Sequence, residues 1–377
     1  MFKSSITFIS IAFIFGLTWN VSINYNIVVF APMLILIIMD PSRFSYLRKE
    51  YLFVIFTFLL LFLLWAVLNI VLHDNYDPLE VDRFVKVFIL GLIIMVFTFL
   101  FYGEDKKLLL TSIDYALWAM VLLWWMQLIA FYTTGEYIDL LQLAGSVREQ
   151  RYQAYWVKSA FPIDLIRPTS IFIEPGTYAV NTFPLLVLSY LQHNRMTKLH
   201  ILIILSYFGT MSLFAIIIGV LFIVLSQLAQ FKFKLSIKNI FFILLLLLMF
   251  FGVEQYLIFR FVEEGGTDQV GYRETIISYW FSLSGEEILM GVGAAQSIFA
   301  KSMVEDASFI FKLIFDYGVF SLPYIIVMAY LSRGIALLFF FIILLSKVHY
   351  QIYIMWFYAA ALTILWSVQI NVRSQKS

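Results

Sequence analysis

The chain has 377 residues, of which 62% are hydrophobic and only 13% charged, with a mean hydropathy of +0.92. A soluble domain is nearer half apolar and a quarter charged, so this composition excludes an ordinary soluble fold and points to a bundle of membrane helices. The net charge of +1 gives no basic footprint for nucleic acid, and the absence of cysteine excludes disulfides, thiol nucleophiles and cysteine–metal sites.

A helix needs about 20 apolar residues to cross the hydrocarbon core. Taken in chain order, the apolar runs predict spans near 6–20, 23–39, 51–72, 84–102, 113–132, 176–192, 199–211, 213–230, 239–256, 308–331, 334–347 and 350–369. The start, Met1-Phe2-Lys3 before an apolar run, resembles a signal peptide. Gly16-Leu17-Thr18-Trp19 is a poor cleavage site, so a retained first span is expected. The run from Tyr51 to Leu72 is uninterrupted, whereas 199–230 and 334–369 are each open to misreading by one crossing. The expectation is an all-α polytopic membrane protein, one membrane domain over 1–377 with about twelve transmembrane helices.

Lys and Arg in short connectors set sidedness. They fall at Arg43/Arg48/Lys49, Lys106/Lys107, Arg195/Lys198, Lys232/Lys234/Lys238 and Arg333, with Arg373 and Lys376 in the tail. An even number of spans puts all of these, and both termini, on the cytoplasmic side. The acidic connector His73–Glu80 then lies outside. Two segments are too long to be simple connectors. They run 133–175 and 257–307, both on the outer face, and are the two large extracytoplasmic loops of this reading. Each carries an amphipathic stretch at helical spacing: Tyr137, Leu140, Leu141 and Ala144 in the first, and Ile277, Trp280, Phe281 and Ser284 in the second. These are expected either to lie in the headgroup plane or to cap the bundle.

Most of the remaining cations sit in these loops, including Arg148, Arg151, Arg167, Arg260, Arg273 and Lys301. Arg binds phosphate oxygens with a planar fork, so this set suits a diphosphate on a lipid anchor. Headgroup contacts and ion pairs with Glu149, Glu263 and Glu264 are the competing explanation. Candidate bases are Glu174, in Ile171-Phe172-Ile173-Glu174-Pro175-Gly176, and Glu305 or Asp306 ahead of Ser308. Each carboxylate reads equally as a charged helix cap. None of the four histidines falls in a long loop, and Gly291-Val292-Gly293 is not a nucleotide-binding loop, so no metal site and no cofactor is expected. Within the spans, Lys312 and Asp316 are placed to pair on one helix face, and Lys86 to snorkel from its helix end.

Three segments resemble the O-antigen polymerase and ligase superfamily. The first is Arg167-Pro168-Thr169-Ser170-Ile171-Phe172-Ile173-Glu174-Pro175-Gly176-Thr177-Tyr178-Ala179, with Ser170 where Gly is usual. The second is Tyr272-Arg273, then Trp280, then Gly291-Val292-Gly293; the third is Ala307-Ser308-Phe309 through Asp316-Tyr317-Gly318. Met211-Ser212-Leu213 stands where the family's central block usually begins with Ser-Arg. Ligases carry His at the position of Ala307, so the likeness is closer to the polymerases. It implies metal-independent, inverting glycosyl transfer between undecaprenyl-diphosphate-linked repeat units on the outer face of the bacterial plasma (inner) membrane, in O-antigen, hence lipopolysaccharide, or other polysaccharide synthesis. Implied partners are the lipid-linked glycan, membrane lipid and a chain-length regulator. The implied catalytic residues are Glu174, Arg167 and Arg273. Arg148, Arg151, Arg260 and Lys301, from the loop cation cluster, and Asp306 and Ser308 are the expected substrate contacts. The alternatives are a ligase-like transferase, a polysaccharide flippase or transporter, and a membrane O-acyltransferase. A transporter is expected to show discontinuous midplane helices or repeats, neither of which is legible here. An acyltransferase is expected to place His at the reaction site.

Overall fold

The computed structural model describes residues 2–18, 31–32, 34–35, 37–71, 78–143, 146, 148–152, 165–230, 278, 281–293, 308–346 and 352–374. Among these it is all-helical, 82% in helices and without strands, as a bilayer demands of a chain whose backbone must satisfy itself locally. The helices are α1 (Phe2–Thr18), α2 (Lys49–Val71), α3 (Pro78–Tyr102), α4 (Lys106–Thr134), α5 (Pro175–His193), α6 (Lys198–Gly209), α7 (Leu213–Gln230), α8 (Gly285–Met290), α9 (Phe309–Tyr317), α10 (Leu322–Leu331), α11 (Ile335–Leu345) and α12 (Tyr353–Ser374). The expected spans near 23–39 and 239–256 fall largely or wholly outside the described residues.

Four stretches are long and apolar enough to cross a membrane: Lys49–Leu68, Phe84–Tyr102, Lys106–Thr134 and Phe309–Leu331. Ser5–Thr18, Lys198–Gly209, Leu213–Leu228, Ile335–Leu345 and Tyr353–Ser367 are apolar but shorter. The protein is therefore an all-helical chain of membrane character. The fourth stretch matches the span expected over 308–331 but is not one straight helix. Gly318 breaks it with φ +53 and ψ −134, a short 3-10 turn follows over Gly318–Ser321, and only then does α10 begin. Phe309 and Tyr324 are fifteen residues apart, about 22 Å in a straight helix, yet their ring centroids are 5.8 Å apart. The chain turns at Gly318, and α9 packs on the 3-10 turn and on α11. The discontinuity absent from the sequence reading is present here.

Two helices form the centre. Residues 178–190 of α5 and 354–364 of α12 are buried all round, and α12 packs most closely along α3. The core where α2, α3 and α9 meet α12 is aromatic. Trp356 meets Phe58 at 5.5 Å and Phe88 at 5.0 Å, and Trp65 stacks on Tyr317 at 3.9 Å with rings 7° apart. Such pairs add about 0.5–1.5 kcal/mol beyond the area they bury.

Two basic connectors share one end of the bundle. Arg43 donates to the Phe101 carbonyl at 2.6 Å, Arg48 pairs with Glu104 at 3.2 Å, and Lys106 donates to the Leu365 carbonyl at 2.7 Å. In the lower half of α4, Asp114 accepts from Ser189 at 2.5 Å and pairs with His193 at 2.7 Å. The His200 ring accepts the Thr197 N–H on Nδ1, so its other nitrogen donates to Ser189. Serine, histidine and aspartate here tie α4, α5 and α6 together rather than activate a nucleophile, because the serine proton already points at Asp114. The expected Lys312–Asp316 pair is present at 3.5 Å and buried. Lys86 pairs with Asp82 on the exposed face of α3.

Candidate functional site

The opposite end of α4 leads into the first long loop. Gly135 ends the helix in the left-handed conformation, its N–H bonding back to Phe131. Of the helix expected over Tyr137–Ala144, Tyr137–Asp139 is not helical and Ala144 lies outside the described residues. One turn, Leu140–Leu143, is helical; Asp139 Oδ1 fixes it by accepting the N–H groups of Leu141 and Gln142. Tyr137 instead stacks on Tyr152 at 3.8 Å and its hydroxyl meets Thr169 Oγ1 at 3.4 Å. Burial pushes the Tyr137 hydroxyl well above the usual tyrosine range, with the Thr169 hydrogen bond opposing the shift, so it stays neutral.

The two described flanks of the loop, 148–152 and 165–174, lie against each other and descend into the bundle as a strap. Arg151 N–H donates to Ile173 at 2.7 Å and Arg167 N–H to Tyr152 at 2.7 Å. Two buried glutamines hold the strap down. Gln127 of α4 donates to the Ser170 carbonyl at 3.1 Å, to Gln150 Oε1 at 2.8 Å and to the Ile138 carbonyl at 3.0 Å. Its own oxygen accepts the N–H groups of Thr169 and Ser170 at 3.2 and 2.8 Å. Gln150 donates to the carbonyls of Ser170 and Phe172 at 2.5 and 2.9 Å, and its backbone N–H bonds Asp139 at 2.8 Å. At the lowest point Ser170 donates to the carbonyl of Met120, the middle residue of α4, at 2.8 Å. The backbone of Ser170 has φ +55, in the left-handed region that favours glycine.

This anchoring fixes Glu174 where the strap turns into α5. Glu174 takes the N-cap position in extended geometry with Pro175 following, as the sequence implies. Its carboxylate does not act as the expected cap, for it accepts no backbone N–H of the first turn. Oε1 accepts the Thr177 hydroxyl at 3.3 Å, and Oε2 lies 3.8 Å from Arg151 Nη1. The Arg151 side chain is 74% exposed and that of Glu174 40%, and ion pairs this open contribute only about 0–1 kcal/mol. Arg151 is thus held loosely enough to turn to another anion. The α6–α7 turn completes the group, bringing Ser212 Oγ to the Gly176 side of Glu174.

Of the residues singled out in the sequence, the strap brings Arg151 and Glu174 together and ties the Arg167 backbone to Tyr152, next to Arg151. Arg148 is exposed at the outer edge of the strap, its N–H on Ser146. Ser308 belongs to a different group. It heads α9, where the Phe309 N–H bonds the Ser346 carbonyl at 2.7 Å, and its hydroxyl is buried with no partner among the described residues. Arg260, Arg273, Lys301, Glu305 and Asp306 lie outside the described residues. So do Ile277 and Trp280 of the second amphipathic stretch. Phe281 there is 79% exposed, and Ser284 caps α8 in a reciprocal box with Glu287.

Two resemblance segments meet directly. Val292 N–H donates to Phe315 at 2.7 Å and Gly293 N–H to Asp316 at 3.2 Å. A Cβ on Gly291 would lie 2.5 Å from the Tyr317 nitrogen, and one on Gly318 would overlap the Leu289 carbonyl. Gly-Val-Gly and Asp-Tyr-Gly are therefore two sides of one backbone crossing.

Reading the sequence for charges missed Gln127, Gln150, Asp139, Thr177 and Ser212. Gln127 carried a signal, being an amide deep in an apolar helix, where a polar side chain marks either a contact or a function. Among the described residues no group of three or more His, Asp or Glu is placed to hold a metal ion. Comparisons with family models, with curated proteins and with solved structures find no match to this chain.

Proposed function

We propose that this chain is a metal-independent membrane glycosyltransferase that joins lipid-diphosphate-linked oligosaccharide units into a polysaccharide on the outer face of the plasma membrane. The acceptor hydroxyl gives its proton to Glu174 as its oxygen bonds the donor's anomeric carbon. The bond from that carbon to the diphosphate breaks on the opposite face, which inverts the centre. Arg167 and Arg273 neutralise the diphosphate as it leaves on its lipid. Arg148, Arg151, Arg260, Lys301, Asp306 and Ser308 serve binding.

The observation that carries this reading is the strap. It uses buried amide hydrogen bonds to hold one carboxylate at the N-terminus of α5, free of capping duty and beside Arg151. The left-handed backbone at Ser170, where the resemblance has Gly, and the glycine crossing at Gly291 and Gly318 add support. The test is Glu174→Gln, which keeps shape and most hydrogen bonding but cannot take a proton. Folded variant supplied with lipid-linked repeat units is expected to elongate about 10²–10⁴-fold more slowly. Near-normal polymer would assign Glu174 a structural role and move the search to Asp306 and Glu305. For orientation, single cysteines at Ser146 and Ser297 are expected to react with an impermeant thiol reagent in intact spheroplasts. Labelling only after lysis would overturn the outer placement and the mechanism with it.

A second reading, a polysaccharide flippase or transporter, gains from the break at Gly318 and the buried Lys312–Asp316 pair, since broken helices with buried charge are transporter features. Proteoliposomes separate the two. A transporter moves the lipid-linked unit across without lengthening it, and a polymerase lengthens it without moving it.

A further inference from the structure

At the end of the bundle opposite the strap, an open groove runs along the start of α2. It holds about 500 Å³ and is lined by Lys49, Leu52, Phe53, Ile55, Phe56 and Leu59. From Lys49 to Leu59 a helix rises about 15 Å. That is half of the roughly 30 Å hydrocarbon core, the depth of one leaflet. Apart from Lys49 the lining is apolar, and the neighbouring Thr57 turns its hydroxyl back onto the Phe53 carbonyl. The groove is thus a greasy track with a single cation at its head. We propose that it binds an anionic phospholipid, with an acyl chain along α2 and the phosphate on Lys49.

The charges around Lys49 select an anion. Lys49 is exposed and makes no ion pair among the described residues. Arg48 precedes it, held by Glu104 in a pair open to solvent. The Arg48 charge also reaches and repels Lys106, whose ammonium bonds the Leu365 carbonyl rather than a carboxylate. The acids of this end are engaged elsewhere: Asp40 with Ser42 and Arg43, Glu104 with Arg48, and Asp105 with the Leu108 N–H. Glu50 follows Lys49 in sequence but does not line the groove. A free phosphate would need only the cation. The apolar track that continues from it for the depth of a leaflet is what points to a lipid, and a zwitterionic headgroup would bring its own cation against Lys49 and Arg48. This site is independent of the glycosyl-transfer reading.

Purified full-length protein in detergent would be titrated with dioleoyl phosphatidylglycerol and with dioleoyl phosphatidylcholine, and bound lipid measured by native mass spectrometry. Phosphatidylglycerol is expected to bind about fivefold more tightly, and Lys49→Gln to abolish that preference. Lys49→Arg should keep it. So should Lys107→Gln, which removes an exposed cation of the same end that lies off the groove. Phe53→Ala combined with Phe56→Ala should weaken both lipids about tenfold with Tm unchanged, because both rings are exposed. The site is overturned if the two lipids bind alike, if Lys107→Gln costs as much as Lys49→Gln, or if the double Phe variant binds both lipids like wild type. Displacement of the lipid by inorganic phosphate would make Lys49 a free-anion site and overturn it too. Should Lys49→Gln also lower Tm, wild-type protein decides: the preference must fade between about 0.1 and 1 M salt as screening shortens, and its persistence refutes the site.

Discussion

The strap of 148–152 and 165–174 and the crossing of 291–293 on α9 are both irregular backbone set against helices, but they are held by opposite means. The strap is held by side chains: Gln127, Gln150, Asp139 and Ser170 supply partners for backbone groups that have none in a helix. The crossing is held by the absence of side chains. Gly291 and Gly318 let two backbones touch, and the Trp65–Tyr317 stack closes over them. A polar clamp can be released one bond at a time, so a loop that must admit substrate can be built that way. A steric crossing either fits or does not, which suits a fixed frame. The strap thus reads as the working part and the crossing as its frame.

That contrast breaks first at the crossing. Lys312→Met leaves Asp316 without its lysine in a site where both side chains are under a tenth exposed. Removing one partner of a buried pair typically costs about 3–5 kcal/mol, so the detergent Tm should fall sharply. The double change Lys312→Met with Asp316→Leu should recover most of the loss. If the single variant melts like wild type, the pair is not part of the frame.

Gly318→Ala should follow closely, at about 3 kcal/mol. The residue has positive φ with ψ −134, a region essentially closed to Ala, and its new Cβ would overlap the Leu289 carbonyl. Loss of folded protein is the expected readout, and normal yield and Tm would mean that the crossing yields more than its geometry implies.

The clamp should give a different signature. Gln127→Leu strands the N–H groups of Thr169 and Ser170 and the Ile138 carbonyl, while the Ser170 carbonyl keeps Gln150 as its donor. Each unmade bond to a buried group costs about 1–3 kcal/mol, but the strap can lift toward water and limit the loss to about 2 kcal/mol overall. Hydrogen exchange should rise over 150–152 and 165–173 while α9 stays protected. Equal exchange in both regions would dissolve the distinction between clamp and frame.

How much of this was legible follows the same division. Composition and continuous apolar runs marked the membrane helices, and i, i+4 spacing marked Lys312–Asp316, because those signals are local. The helical spacing of Tyr137, Leu140, Leu141 and Ala144 misled, since Gly135 and Asp139 set the backbone there and the Tyr137 ring had a better partner in Tyr152. The Gly-Val-Gly and Asp-Tyr-Gly segments stood out, but not their contact, which is backbone on backbone at the Gly318 turn. Glu174 and Arg151 were legible as charges. Ser212 was not tied to Glu174, because only the α6–α7 turn brings them together.

The smallest effect is the most discriminating for the strap. Ser170 pairs an unfavourable backbone with a favourable side chain: φ +55 is costly for any residue with a Cβ, and its hydroxyl repays part of that by bonding Met120 at 2.8 Å. Ser170→Gly removes the left-handed cost, about 1 kcal/mol, and the hydrogen bond, also about 1 kcal/mol. The two should cancel, leaving Tm within a degree or two of wild type. Ser170→Ala keeps the strain and loses the bond, so it should be the worse of the pair by about 1–2 kcal/mol. Glycine worse than alanine would show that the backbone at 170 is not left-handed, since both variants lose the bond to Met120 equally. The strap would then not reach the middle of α4, and the anchoring of Glu174 would need another cause.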